Sequence, residues 1–174
     1  FSWPSELRSL TFGRDFNQSL ESVIFPGKLQ ELTFGYDLNQ PLDLWNIPGN
    51  LQQLTFGYSF NQPLQGVNWP SSLLTLTLGH SFDRSVEDVL WPSNLSHLQF
   101  GTCFNRSLQH VTFPESLQTL TLGHHFNRDL TDVHFPSHLR SLTLGQRFTW
   151  SLHHVNLPNS LCNLFCQNLL VSCD

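Results

Sequence analysis

The 174-residue sequence contains no methionine and no alanine, and it is poor in charge. Without methionine, Phe1 cannot be a translation start. The chain is therefore expected to be a processed or partial product, removal of a short leader alone being the other route to this start. Charged residues make up 12%, with 8 Lys plus Arg against 13 Asp plus Glu and a formal charge of -5; that is about half the usual charged share. No run of Lys or Arg exists, which excludes a phosphate-binding stripe and argues against nucleic acid as a partner. Apolar stretches are only a few residues long, so none is expected to span a membrane, and the first residues carry no signal-like pattern. In place of charge stand Asn, Gln, Ser, Thr and His, which predict a neutral, polar surface.

What is present is a repeat. Proline recurs at Pro4, Pro26, Pro48, Pro70, Pro92, Pro114, Pro136 and Pro158, always 22 residues apart. Glycine recurs at Gly13, Gly35, Gly57, Gly79, Gly101, Gly123 and Gly145 with the same interval, and no insertion interrupts either series. Counting each repeat from its proline, position 4 is Leu from Leu7 to Leu161 and position 7 is Leu from Leu10 to Leu164. Positions 9, 13, 17, 20 and 22 are also apolar, as in Phe34, Leu38, Leu42, Trp45 and Ile47. Each turn therefore sends about seven large side chains inward, over their equivalents in the next turn, and only the stack buries a continuous core.

Two stretches of each repeat alternate between apolar and polar: positions 4 to 9, as in Leu29 to Phe34, and positions 17 to 22, as in Leu108 to Phe113. Both read as short strands with period 2. Glycine at position 10 ends the first strand, where the backbone needs positive φ or close approach. Proline at position 1 ends the second, because it cannot donate to a ladder. With proline and glycine in every repeat and no alanine, helix is not expected. The expected fold is an all-β, leucine-rich-repeat-like parallel β-solenoid of seven turns plus a partial eighth, with two short strands per turn. The expected divisions are residues 1–3 as the tail of a preceding repeat, 4–157 as seven repeats, and 158–174 as a partial repeat acting as C-terminal cap.

Position 14 is an asparagine column: Asn17, Asn39, Asn61, Asn105 and Asn127, varied by Asp83 and broken by Thr149. A buried asparagine can satisfy turn backbone groups and bond its equivalents in adjacent turns, so a structural ladder is expected. That reading discounts glycosylation at Asn17 and Asn105 and leaves Asn94-Leu95-Ser96 as the exposed sequon.

The run Leu54-Thr55-Phe56-Gly57-Tyr58-Ser59-Phe60-Asn61-Gln62-Pro63-Leu64 closely resembles the FNIP repeat, a 22-residue relative of leucine-rich repeats. Tyr36 to Leu42 is a second near match, and the similarity extends over about residues 4 to 165. The sequence departs from the family in having Gln or Arg where the name implies Ile, and in losing the motif's proline from Ser85 onward. The Leu-x-x-Leu-x-Leu pieces also look like leucine-rich repeats, with the usual asparagine shifted by two. The resemblance implies a recognition or scaffolding solenoid without catalysis, and it carries over no catalytic residue and no cofactor.

The outward positions of the first strand, 6 and 8, form a nearly uncharged ladder that includes Thr33, Thr55, Thr75, Thr77, Thr119, Thr121 and Thr143. This is the candidate face for a protein partner. Regular threonine rows also fit the ordering of surface water in ice binding, although Glu31 and His97 interrupt them, and threonine simply favours strands. Exposed aromatics add anchors: Tyr36 and Tyr58 stack at position 11, and Trp150 stands where other turns have Gln or Arg. On the second stretch, His110, Asp132 and His154 at position 19 and His134 at position 21 present zinc or copper ligand types at one-turn spacing. A solvated Asp/His ladder is the structural alternative. No G-x-S-x-G elbow, H-E-x-x-H or phosphate loop is present, so no enzyme is expected. Cys162, Cys166 and Cys173 fall in the cap, where a disulfide involving Cys173 is an option in an oxidising compartment, and Cys103 stands alone. No such cap is legible at the N-terminal end, whose open edge is expected to stack on another chain or on further repeats. The functional reading is a non-enzymatic scaffold for protein–protein interaction, as an accessory subunit of a larger assembly.

Overall fold

Positions 6 to 8 of every repeat form a three-residue strand, and the strands stack in sequence order. The computed structural model describes residues 2–166. Its strands are β1 (Ser9–Thr11), β2 (Glu31–Thr33), β3 (Gln53–Thr55), β4 (Thr75–Thr77), β5 (His97–Gln99), β6 (Thr119–Thr121), β7 (Ser141–Thr143) and β8 (Asn163–Phe165). All eight belong to one parallel sheet in which each residue pairs with its equivalent one repeat later, Leu10 with Leu32 and Leu32 with Leu54. The central leucine of each strand points inward and its neighbours outward, as the period of 2 requires.

The rest of each turn bends through reverse turns, nearly all closed by a bond from a backbone N–H to the carbonyl three residues earlier, the turn at Gly35 being an exception. The first runs from the proline, whose carbonyl accepts from position 4, as in Leu29 to Pro26 at 3.0 Å. The next starts at the glycine, as in Phe82 to Gly79 at 3.0 Å, and the last spans positions 17 to 20, as in Val111 to Leu108 at 3.1 Å.

That last turn corrects one expectation: no second strand forms over positions 17–22 among the described residues. Side chains do alternate there, with Val89 buried and Leu90 80% exposed. The backbone, however, spends the N–H of position 20 on closing its own turn, so it is withdrawn from any ladder. Gly66 and Asp88 at position 19 have φ of 75° and 60°, the left-handed conformation of a turn residue and not of a strand.

The glycine column is required by close approach and not by positive φ. A Cβ on Gly35, Gly57, Gly79, Gly101, Gly123 or Gly145 would overlap the carbonyl oxygen of the glycine one turn earlier. Inside, Phe60, Phe82, Phe104, Phe126 and Phe148 form an unbroken column with ring centroids 6.0–6.3 Å apart. Position 9 adds rings against it within the same turn, as in Phe100 and Phe104 at 4.0 Å. No buried polar or charged residue interrupts this core among the described residues. At the first turn, Leu7, Leu10, Phe12, Phe16 and Val23 are only half-buried, with a described turn stacked on one side of them.

The beginning of the expected cap is described up to Cys166; there Leu161, Leu164 and Cys166 pack against the core. Residues 167–174, and with them Cys173 and its disulfide, lie outside the described residues, as does Phe1. Among the described residues Cys103, Cys162 and Cys166 form no disulfide with one another.

Candidate functional site

The outward residues of β1 to β7 form the most regular surface of the molecule. Because the register never slips, positions 6 and 8 make two straight columns. Thr33, Thr55, Thr75, Thr77, Thr119, Thr121 and Thr143 all sit half-buried in them. In β5 the columns hold His97 and Gln99 instead, and these rise beside the threonines of β4 and β6. The result is a shallow depression of about 260 Å³ lined by Thr75, Thr77, His97, Gln99, Thr119 and Thr121. The interruption of the uniform threonine row thus coincides with relief on it. His97 is oriented by Ser96, whose Oγ lies 2.7 Å from its Nδ1.

The corner after the strand carries the aromatics. Tyr36 and Tyr58 stack at 4.3 Å with planes 4° apart, and His80 continues the stack at 4.1 Å from Tyr58. Arg14 closes the other end, its guanidinium carbon 5.0 Å from the Tyr36 ring centre. The rings therefore spend their faces on one another and leave their edges to solvent. Burial within the stack, and then the Tyr36 hydroxyl, push the Tyr58 phenol above its ordinary pKa.

The asparagine column is not buried as expected: Asn17 and Asn39 are exposed and Asn61, Asn105 and Asn127 half-buried, and the column runs along this corner through a specific chain of bonds. Asn39, Asn61, Asp83, Asn105, Asn127 and Thr149 each donate their backbone N–H to the side-chain Oδ1 one turn earlier, at 2.9–3.0 Å. Only an acceptor oxygen is needed, which explains why Asp83 serves as well as Asn.

Position 15 has a role that sequence reasoning missed. Gln40, Gln62, Arg84, Arg106, Arg128 and Trp150 each donate a side-chain N–H to the position-14 carbonyl one turn earlier, at 2.8–3.3 Å. Trp150, 49% exposed, is thus a member of a structural column as well as an exposed aromatic. The legible signal was the shared side-chain N–H of Gln, Arg and Trp at one register. Position 16 was missed likewise: the oxygens of Ser19, Ser85, Ser107 and Ser151 accept the N–H two residues on. Asp129 does the same for Thr131, and these bonds hold its carboxyl below the usual carboxylate range. Pro41 and Pro63 restrict the same bend covalently.

His110, Asp132, His134 and His154 are exposed on the third corner. His110 and His134 line one depression of about 610 Å³ with Glu115, and Asp132 and His154 are not among its walls. Among the described residues no group of three or more His, Cys, Asp or Glu is placed to hold a metal ion. No described helix is long and apolar enough to cross a membrane. Asn94 is exposed, with its Nδ2 donating to the Ser71 carbonyl at 2.8 Å.

Comparison with known proteins agrees with this architecture. A model of the FNIP repeat matches residues 2–37, 39–81, 82–125 and 126–165. No curated protein matches the chain. Among solved structures, CroV588, described as a novel circular LRR protein, is similar with a TM-score of 0.85 and 39% identity over 94% of this chain. The match takes in 24% of CroV588, so the chain spans about a quarter of that protein's length.

Proposed function

The chain belongs to the FNIP-repeat family, and from that premise we propose that it is a non-enzymatic recognition scaffold whose strand face binds a protein partner. One observation carries the reading. The strand face runs in unbroken register through β1 to β7, and Glu31 is the only Asp, Glu, Lys or Arg among its outward residues there. A partner can cover such a face without stripping water from charges, and the short hydroxyl side chains have little rotamer entropy to lose on contact. The depression framed by His97 and Gln99 supplies a place for a partner side chain to enter. Low charge favours a lasting contact, as in a subunit of a larger assembly, over a steered encounter.

The test is capture from the native source, followed by the Thr77→Lys/Thr121→Lys variant. Both positions are half-exposed, so the lysines reach solvent and leave the core intact. The expected result is an unchanged circular-dichroism spectrum and loss of the captured protein. A variant that still holds the partner as tightly as the native chain refutes the strand face as the interface.

A further inference from the structure

The corner after the strand changes character halfway along the solenoid. In the first three turns position 15 is Gln18, Gln40 and Gln62; in the next three it is Arg84, Arg106 and Arg128. Both residue types do the same structural work. Gln40 and Gln62 reach the carbonyl one turn earlier with Nε2 at 3.0 and 2.9 Å, and the arginines reach theirs with Nε at 2.9, 3.0 and 2.8 Å. The bond does not need a charge, so three positive charges on one column are surplus to the scaffold.

They are also unfavourably placed for stability alone. Successive turns are about 4.8 Å apart, and like charges at that spacing repel. Asp83 offsets part of this by pairing with Arg106 at 2.7 Å, but Arg84 and Arg128 make no ion pair among the described residues. In the seventh turn Arg147 adds a further cation on the same corner, beside His124 and His125. From the fourth turn to the seventh the corner thus carries four arginines against two carboxylates, Asp83 and Asp129, and Asp129 is engaged by Thr131. This is half of all Lys and Arg in a chain whose formal charge is -5. The bond at Nε fixes each guanidinium; at Arg84 and Arg128 it leaves the terminal nitrogens to bind elsewhere, the pre-organised fork that matches a carboxylate, while at Arg106 Nη2 is held by Asp83 and Nη1 remains.

We propose that the column Arg84, Arg106 and Arg128 is a second docking site, which takes an acidic segment of a partner protein lying along the solenoid axis. It rests on the reading of the chain as a protein-binding scaffold but uses a different face from the strands. Trp150 follows in the same column and gives such a segment an exposed ring beyond the last arginine. A nucleic acid fits less well, because the chain as a whole repels a long polyanion, whereas a few carboxylates meet only the local cations.

The native sequence supplies the variant for the test. Arg84→Gln/Arg106→Gln/Arg128→Gln keeps the bond that Gln40 and Gln62 make and removes the charge, together with the Arg106–Asp83 ion pair, a surface contact that contributes little to stability. The probe is a fluorescent hexaglutamate peptide, followed by anisotropy at about 0.02 M and about 0.2 M salt. The native chain is expected to bind it, more weakly at the higher salt. The triple variant should bind at least about tenfold more weakly with an unchanged melting temperature. The control Arg8→Gln/Lys28→Gln/Arg140→Gln lowers net charge equally on another part of the surface and should bind as the native chain does. The proposal is overturned if the two triple variants behave alike, if neither differs from the native chain, or if a hexanucleotide binds more tightly than the peptide. The Thr77→Lys/Thr121→Lys variant separates the two faces: it should retain the peptide while losing the captured partner.

Discussion

Gly101 lies against the carbonyl of Gly79, and a methyl group there would occupy the oxygen's place. Neither partner is a flexible side chain, so relief requires moving two turns apart and lengthening ladder bonds. Gly101→Ala is therefore expected to cost more than about 3 kcal/mol. Gly13 has the same register but open space around it, and Gly13→Ala should stay within about 0.5 kcal/mol. Urea unfolding of both variants checks the pair; equal costs would mean that close approach is not what selects the glycine. Asn61 and Asp83 illustrate the opposite tolerance, because the ladder asks only for an acceptor oxygen.

Among the elements, the corner after the strand holds a histidine, His125, through which stability is expected to respond to pH. His125 is held below the ordinary histidine value of 6.5, first by desolvation and then by Arg147, His124 and His80. The unfolded chain therefore binds a proton more readily than the folded one as pH falls through that value. The contribution of His125 is fully present above the ordinary value and is lost as pH drops below it. His125→Gln should flatten this part of the curve of melting temperature against pH, and an unchanged slope would show that His125 is not the group titrating. The third corner behaves differently as an element: it places its side chains as a strand would while its backbone closes on itself.

Across the whole molecule, stability is a matter of each turn and its two neighbours. Phe104 is fully buried between Phe82 at 6.1 Å and Phe126 at 6.0 Å, so Phe104→Ala removes packing on both sides. A cost of about 3–5 kcal/mol is expected. Phe16, half-buried in the first turn, has a stacked turn on one side only in this chain, and Phe16→Ala should cost less than half as much. Calorimetry on both decides it, and equal losses would argue against nearest-neighbour stacking as the source of stability. The same geometry separates scaffold from recognition. Inward columns must match their neighbours above and below, while outward ones are free to differ, as Thr77, Gln99 and Thr121 do.

The sequence alone determined the solenoid, its period, its parallel register and the identity of nearly every buried side chain. Those follow from apolar residues recurring at constant spacing, a one-dimensional property that stacking converts directly into contact. It also showed the threonine face and the stacking of Tyr36 on Tyr58, because a column in the sequence is a column in space. Three things were left to the tertiary structure. Whether positions 17–22 pair as a strand depended on where the N–H of position 20 finds its acceptor, and alternation of side chains is blind to that. Whether the glycines serve φ or proximity depended on the position of the preceding turn's carbonyl. Whether Gln, Arg and Trp at position 15 are variation or a single role depended on one shared bond to a neighbouring turn, which residue type alone does not disclose.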